Sequence, residues 1–346
     1  MSNKALALTL EQLCHGNHLT SEQSDELFSD LMIGNHSPIE MASVLTALKA
    51  KGETADEIIG AVRALSRDAI TIGRANELKK KYTIIDCAGT GGDGQHTLNI
   101  STAVSIVLAC AGLNIAKHGG RAVSSKCGSG DLLEHVGLKL EISPHIAQKS
   151  LEEVGMCFLY ALSYHPSMRL FRQIRSVLKM KTIINILCPL LNPLQPDYQL
   201  IGVYDPKLCH IFAQVLKGLH VKRALIIHGS DLDEIAIHGP TTGVMLYDGD
   251  IRDFSLTPEE VGLKRYPLEQ IRGGDVATNA KFFIDLLSGK GEEAYRAAVA
   301  INAGAALYLV GKVDSIQLGV ETIQAILNTN QGYLRLEHLI RVSHAN

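Results

Sequence analysis

The residues best suited to chemistry lie in DCAGTGGDGQHTLNIST, which runs from Asp86 to Thr102. An apolar, β-prone run over 82–87 breaks into four glycines within six positions: Gly89, Gly91, Gly92 and Gly94. A segment of small and apolar residues then starts at Asn99. Glycines let backbone N–H groups approach an anion, and a helix start adds unpaired N–H donors and partial positive charge. This order of strand, glycine loop and helix predicts a phosphate cradle, and therefore a phosphorylated substrate.

The same glycines also fit the dinucleotide pattern G-x-G-x-x-G, through Gly89, Gly91 and Gly94. That motif requires an acidic residue about 20 positions later to bind the ribose hydroxyls. The corresponding segment instead contains Lys117 and Arg121, which suit a polyphosphate. A Walker A loop is excluded because no Lys-Ser or Lys-Thr follows the glycines. The remaining alternative, a plain strand-to-helix turn, needs only one glycine.

A second segment with anion-binding groups is KHGGRAVSSKCGSGD, from Lys117 to Asp131. It combines two lysines, an arginine, three serines and four glycines. Cations, hydroxyls and bare amides are the donors that a diphosphate needs. The alternative is a solvated basic loop, although such loops seldom contain so many glycines and serines.

An acidic cluster, Asp231-Leu-Asp233-Glu234, follows the strand predicted at 223–228. Adjacent carboxylates beyond a strand end can hold a magnesium ion that is itself bound to substrate phosphates. Alone, such a turn is more often a solvated loop. Beside a phosphate cradle the magnesium interpretation is favoured, because a diphosphate leaving group needs its charge neutralised.

A basic helix begins at HPSMR, over 165–169, and places Arg169, Arg172 and Arg175 at a spacing of three. One of these arginines could bind a carboxylate through both of its guanidinium nitrogens. The alternative, a solvated basic face, is the expected fate of the other two.

The composition limits the classes of protein that the chain could belong to. With 346 residues, 46% of them hydrophobic and 20% charged, we expect a soluble protein of two domains. The net charge of −3 excludes bulk attraction to nucleic acid or anionic membrane, and no apolar run reaches the length of a membrane span. Seven scattered cysteines and no H-E-x-x-H spacing predict a reduced, cytoplasmic protein without a zinc site or a histidine metal site.

The first seventy or so residues read as helices only. Capping boxes are predicted at Thr20, Ser37 and Thr54, and C-terminal caps at Gly16, Gly34 and Gly52. A basic linker over 74–81 follows. From Tyr82 onward, strands alternate with helices, which predicts a mainly parallel sheet with its ligand site at the carboxyl ends of the strands. Strands are expected at 83–88, 113–117, 156–161, 182–187, 200–204, 223–228, 234–238 and 243–247, and helices at 99–111, 144–154, 206–218 and from Val276 onward.

These motifs resemble those of the anthranilate phosphoribosyltransferase family. The match consists of GTGGDG-x-x-T-x-NIST at 89–102, KHGGRAVSSKCGSGDLLE at 117–134, HPSMR at 165–169, CPLLNP at 188–193 and LDE at 232–234. The resemblance implies an α/β fold with a small all-helical N-terminal domain and a larger, mainly parallel-sheet domain. It implies a helical domain of 1–73 joined in space by about 166–190, an α/β domain of 82–165 and 191–346, and a homodimer formed through the helices.

The resemblance also implies transfer of a phosphoribosyl group from phosphoribosyl pyrophosphate to anthranilate, with Mg²⁺ and without a covalent nucleophile. Arg175 would bind the anthranilate carboxylate, and Ser101, Asp233 and Glu234 would hold the metal. The other implied substrate-binding residues are Gly89, Gly92, Asp93, Thr97, Asn99, Ile100, Ser101, Thr102, Lys117, His118, Gly119, Gly120, Arg121, Ser124, Ser125 and Ser129.

The chain departs from the family pattern mainly on the acceptor side. Gly120 stands where the family usually has Asn, and Cys127, Gly130, Leu162 and Cys188 stand where Ser, Ala, Pro and Gly are usual. One alternative is therefore a related transferase or nucleoside phosphorylase with another aromatic acceptor. Another is a non-catalytic paralogue that binds nucleic acid or protein, which predicts eroded motifs and a basic net charge; the sequence has neither.

Overall fold

The N-terminal part of the chain folds as helices. The computed structural model describes residues 3–73, 75–122 and 126–345. Its first helices are α1 (Asn3–Cys14), α2 (Ser21–Met32), α3 (Pro38–Lys51) and α4 (Ala55–Arg67). The capping boxes predicted at Thr20, Ser37 and Thr54 all form, and Gly52 ends α3 with a φ of +90°. The prediction of an all-helical start is confirmed.

A seven-stranded sheet follows in the order β3-β2-β1-β4-β5-β6-β7. The strands β1 to β5 run parallel, and β6 and β7 are antiparallel. Parallel strands end at a common edge, so the loops after β1, β2, β4 and β5 lie on one side. The mainly parallel sheet is confirmed. The strands are β1 (Ile84–Gly89), β2 (Asn114–Gly119), β3 (Met156–Tyr160), β4 (Tyr198–Gly202), β5 (Arg223–His228), β6 (Thr241–Tyr247) and β7 (Asp250–Leu256).

The remaining helices cover both faces of the sheet. They are α5 (Ala75–Lys81), α6 (Ile100–Cys110), α7 (Ser129–His135), α8 (Pro144–Val154), α9 (Ala161–Tyr164), α10 (Met168–Leu178), α11 (Ile183–Ile186), α12 (Leu208–Gly218), α13 (Val276–Leu287), α14 (Glu293–Leu309), α15 (Ile316–Leu327) and α16 (Gln331–Ser343). Helices α6 and α14 pack on one face, and α12 packs on the other together with α4. Among the described residues, no helix is both long and apolar enough to cross a bilayer.

Helices α10 and α11 pack against α3 of the N-terminal helices. Phe171 and Ile174 of α10 and Ile183 of α11 lie in the same buried cluster as Leu45 of α3. This cluster continues to the sheet, where it includes Ile201 of β4. The packing agrees with a helical unit of 1–73 completed by about 166–190, and that division stays a prediction.

Two predicted strands are wrong. Segment 182–187 forms the short helix α11, because packing against α3 overrides the β-propensity of its isoleucines. Segment 234–238 is a loop whose backbone bonds to side chains: the N–H and C=O of Ile235 both bond to the Asn302 side chain, and the N–H of Ala236 bonds to Thr241 Oγ1.

Strand β7 and helices α5, α7 and α9 were not predicted. Strand β7 is an edge strand with mostly polar residues, so it lacks the apolar signal of the buried strands. The predicted linker is helical over 75–81, where Leu78 is buried; Arg74 lies outside the described residues.

Candidate active site

The glycine loop joins the carboxyl end of β1 to the first turn of α6. Gly89, at the end of β1, allows the close approach of another loop, because an added Cβ would lie 2.2 Å from Asp233 Oδ2. At the end of β4, a Cβ on Gly202 would lie 1.6 Å from the carbonyl oxygen of Asp233. The acidic loop therefore lies against both strand ends because each ends in glycine. Positive φ values of +67°, +77° and +80° occur at Gly91, Gly92 and Gly94.

The acidic residues bind the amides of the cradle directly. Gly91 N–H donates to Asp233 Oδ2 at 2.6 Å, and Ser101 N–H, in the first turn of α6, donates to Glu234 Oε1 at 3.1 Å. Asp93 Oδ2 accepts from Asp233 N–H at 3.4 Å. The loop and the helix start thus present N–H groups to anionic oxygen, as a phosphate cradle requires. The structure brings the predicted residues Asp93, Ser101, Asp233 and Glu234 together.

Asp93, Asp233 and Glu234 crowd negative charge into a half-buried position. Burial raises the pKa of Asp233 well above its ordinary value, and the charges of Asp93 and Glu234 raise it further. Burial also raises the pKa of Glu234 to about 7, against the opposing effect of Lys117. A divalent cation would relieve this crowding, and carboxylate oxygens are the ligands that Mg²⁺ prefers.

The acids do not form a complete metal site by themselves. Over residues 3–73, 75–122 and 126–345, no group of three or more His, Cys, Asp or Glu side chains is arranged to hold a metal ion. Mg²⁺ commonly binds one or two carboxylates and takes its other ligands from water and substrate phosphates. The residues present fit that mode of binding.

Lys117 is a buried cation on β2, beside β1 and the start of α6. Its Nζ donates to the Cys87 carbonyl at 2.8 Å and to Ser101 Oγ at 3.3 Å. Its charge also acts on Asp86, whose pKa burial raises to about 6 while Lys117 opposes the rise. Asn192 Nδ2 donates to the same carboxylate at 2.8 Å. Lys117 is thus fixed where it attracts an anion toward the start of α6.

Several residues of the basic segment after β2 contact each other or the helix that follows it, rather than the glycine loop. Gly119 is tightly packed, since an added Cβ would lie 2.5 Å from Ser129 Oγ, and that hydroxyl donates to the Gly120 carbonyl at 3.3 Å. Arg121 is engaged elsewhere: both of its terminal nitrogens donate to Glu134, at 2.6 and 2.8 Å. The predicted residues Ser124 and Ser125 lie outside the described residues.

The guanidinium of Arg175, which was predicted to bind a carboxylate, has no acidic partner among the described residues. Arg175 Nε is buried and has no hydrogen-bond partner among the described residues, and burial lowers the pKa of this arginine. Arg175 neighbours Cys188, whose sulfur lies 4.0 Å from His118 Nδ1. Burial lowers the pKa of His118 to about 3, so its ring is neutral at pH 7. Arg169 and Arg172 are exposed, as expected for the two solvated arginines.

Four predicted residues have structural contacts in this part of the site. The Asn99 side chain donates to the Cys127 carbonyl at 3.2 Å and accepts from Asn279 at 3.0 Å. Ile100 and Thr102 are buried, and Thr97 forms an isolated backbone bridge with Arg272. These contacts connect the start of α6 to the C-terminal helices.

Lys181 was missed by the sequence reasoning. It lies between α10 and α11, and its Nζ donates to the Gly92 carbonyl at 2.5 Å. The ammonium group also lies 3.3 Å from the centre of the Tyr204 ring. Neither the spacing of basic residues nor the predicted strand at 182–187 indicated this contact, because it depends on α10 and α11 folding back toward the glycine loop.

Comparisons with known proteins agree with this architecture. Residues 81–333 match the model of the glycosyl transferase family, a/b domain, and residues 8–69 match its helical bundle domain. The anthranilate phosphoribosyltransferase of Pseudoalteromonas translucida (strain TAC 125) is 44% identical over 344 residues, 99% of this chain and 96% of that protein.

Solved structures of the same enzyme are also similar. The crystal structure from Thermus thermophilus has a TM-score of 0.90 at 37% identity, covering 97% of this chain and 99% of that one. The Saccharomyces cerevisiae enzyme in complex with PRPP and Mg has a TM-score of 0.88 at 26% identity. Its complex with 4-fluoroanthranilate has a TM-score of 0.86 at 25% identity. Both yeast matches cover 99% of this chain and 98% of that one.

Proposed function

The chain belongs to the anthranilate phosphoribosyltransferase family, and from that premise we propose how its residues carry out the reaction. The enzyme transfers the phosphoribosyl group of 5-phosphoribosyl 1-pyrophosphate to the amine of anthranilate in tryptophan biosynthesis. The products are N-(5-phosphoribosyl)anthranilate and pyrophosphate. The observation that carries this proposal is the pair of hydrogen bonds by which Gly91 and Ser101 amides bind the carboxylates of Asp233 and Glu234.

The donor binds at the glycine loop and the start of α6. Backbone N–H groups over 89–94 and 100–102 bind pyrophosphate oxygens, and Lys117 attracts the same charge from β2, beside the start of α6. As the bond between the anomeric carbon and the pyrophosphate oxygen breaks, negative charge grows on the leaving group. Backbone N–H groups that the fold holds near that position stabilise this charge.

Asp233, Glu234 and the Ser101 hydroxyl are the residues that would hold Mg²⁺. The metal, when bound, neutralises charge on the pyrophosphate. The yeast relative in complex with PRPP and Mg supports the use of Mg²⁺ with this donor. Asp233 and Glu234 accept hydrogen bonds from the amides of Gly91 and Ser101, so the donor can bind these two amides only when the carboxylates release them.

The acceptor is oriented by Arg175, whose buried Nε lacks a protein partner among the described residues. A guanidinium binds a carboxylate with directional hydrogen bonds, which suits the carboxylate of anthranilate. The aromatic amine is neutral near pH 7, so it attacks the anomeric carbon without prior loss of a proton. Catalysis rests on positioning and on leaving-group stabilisation, and no covalent nucleophile is needed.

The enzyme acts as a cytoplasmic homodimer in this proposal, without nucleic acid or membrane partners. The support is a set of exposed apolar side chains on the helical part: Leu8, Ile33, Ile39 and Val177 are 58, 67, 78 and 72% exposed. Burying apolar surface of this kind favours association. Light scattering after size exclusion tests the dimer, and a monomer at all concentrations contradicts it.

The decisive test is a coupled assay of both products. Purified enzyme with phosphoribosyl pyrophosphate, anthranilate and MgCl₂ should release one pyrophosphate for each anthranilate consumed. The loss of anthranilate is followed by the decrease in its fluorescence. Omission of anthranilate is the control for donor hydrolysis. Pyrophosphate release with a different aromatic amine, and none with anthranilate, would contradict the proposed acceptor.

A further inference from the structure

Lys181 contacts the glycine loop from a segment that lies outside the sheet. The helices on either side of this segment, α10 and α11, are held against α3 by buried apolar side chains, including Phe171 and Ile183. From this anchored position the side chain extends to the Gly92 carbonyl, where Nζ donates at 2.5 Å. The contact is close enough that an added Cβ on Gly92 would lie 3.1 Å from Lys181 Cε.

Three features keep the ammonium group at this place. The Tyr204 ring lies under it at 3.3 Å, which is within the range of a strong cation–π interaction. The carboxylates of Asp93, Asp233 and Asp205 attract its charge. The side chain is half-buried, so water screens these attractions less than at an open surface.

The carbonyl that Lys181 binds belongs to a glycine, the residue with the greatest backbone freedom. Gly92 has a φ of +77° and no side chain, so its backbone can change conformation at little cost. In a planar trans peptide the C=O and the next N–H point in opposite directions. Holding the Gly92 carbonyl therefore also sets the direction of the Asp93 N–H, inside the loop that binds the pyrophosphate in the proposed function.

We propose that Lys181 is a positioning residue of the donor site, which holds the glycine loop in the conformation that binds pyrophosphate. This inference rests on the proposed function and adds to it a residue contributed by the mid-chain helices. It makes donor affinity depend on a segment that lies far from the glycine loop in sequence. If the contact between Lys181 and the Gly92 carbonyl served only to stabilise the fold, its loss would lower folding stability without a selective loss of donor affinity.

The test compares three variants by calorimetric titration with phosphoribosyl pyrophosphate in MgCl₂. Lys181→Met removes the charge and the hydrogen bond but keeps the chain length. Its donor Kd should rise about tenfold, the size expected for a lost charge-assisted hydrogen bond. Lys181→Arg keeps a cation over Tyr204 and should restore the affinity to within about twofold. Lys179→Met, an exposed lysine of the same segment, is the matched control and should bind as the wild type does.

A second measurement reports on the loop without any ligand. Hydrogen exchange of the backbone amides over 90–97 should be faster in Lys181→Met than in the wild type and unchanged in Lys179→Met. Kinetic assays should show a raised donor KM with a smaller change in the anthranilate KM. If Lys181→Met binds the donor as tightly as the wild type, the inference is wrong although the proposed function stands. If the wild type itself does not bind the donor, both fail.

Discussion

Replacing Glu234 by glutamine separates the charge of the magnesium site from its shape. Glutamine keeps an oxygen that can accept the hydrogen bond from the Ser101 amide, which now runs to Glu234 Oε1 at 3.1 Å. It removes only the ionisable group, whose pKa burial raises from 4.5 to about 7. We therefore expect the variant to be inactive in phosphoribosyl transfer and yet more stable than the wild type at alkaline pH.

The magnitude follows from that pKa. A rise from 4.5 to about 7 corresponds to roughly 3 kcal/mol of destabilisation when the carboxyl is fully ionised. The side chain is only half-buried, so screening by solvent reduces the expected value to about 1–2 kcal/mol. Between pH 4.5 and 7 the native state binds more protons at this site than the unfolded chain does. Its contribution to stability is therefore present at low pH and is lost as the pH rises through this window.

The assay is thermal unfolding followed by circular dichroism in EDTA at pH 5 and pH 8, since the chain has no tryptophan for fluorescence. Glu234→Gln should unfold about 1–3 °C above the wild type at pH 8 and at nearly the same temperature at pH 5. Glu141→Gln, which removes an exposed carboxyl, controls for the change in net charge. An equal difference at both pH values, or none at pH 8, would refute the assignment of a strained carboxylate to Glu234.

Four further predictions concern the site. The double replacement of Asp233 and Glu234 by alanine should lower turnover by about a thousandfold or more with an unchanged circular dichroism spectrum; undiminished pyrophosphate release would remove the metal assignment. Arg175→Ala should raise the anthranilate KM by about 10- to 100-fold and the donor KM much less, and the reverse pattern would place this arginine in the donor site. Gly89→Ala should weaken calorimetric donor binding by about tenfold or more, because the new Cβ would lie 2.2 Å from Asp233 Oδ2; unchanged affinity contradicts that close approach. Gly120→Asn should fold normally, because a Cβ there meets no described atom within 4 Å. Steady-state kinetics of this variant should show a changed acceptor KM. A change in the donor KM alone would place position 120 outside the acceptor site.

Local patterns were enough to predict the helical start and most of the sheet. A capping box depends on residues three apart, so Thr20, Ser37 and Thr54 could be recognised without knowledge of the fold. The buried strand β5 has a continuous apolar run, and β1 is apolar except for Asp86; the edge strand β7 has no such run. The sequence of α11, IINI, is too short for its apolar pattern to distinguish a helix from a strand, so the prediction of a strand there is wrong.

Among the predicted binding residues, too, some contacts could be expected from the sequence and others could not. The family resemblance placed Asp93, Ser101, Asp233 and Glu234 in one site, and the structure brings them together where strand ends of a parallel sheet meet at one edge. The pairing of Arg121 with Glu134 could not be anticipated, since it depends on the placement of α7 relative to β2.

By itself, the sequence determined the kinds of group present: glycines that bare the amides after β1, acids after β5, and cations in the segment after β2. Only the tertiary structure decided which of them meet. It turned the carboxylates of Asp233 and Glu234 onto the cradle amides, left the Nε of Arg175 without a partner among the described residues and brought Lys181 to Gly92. The physical reason is that residue type and spacing set what each side chain can bind. Which groups actually touch depends on how distant segments pack, and no local pattern encodes that packing.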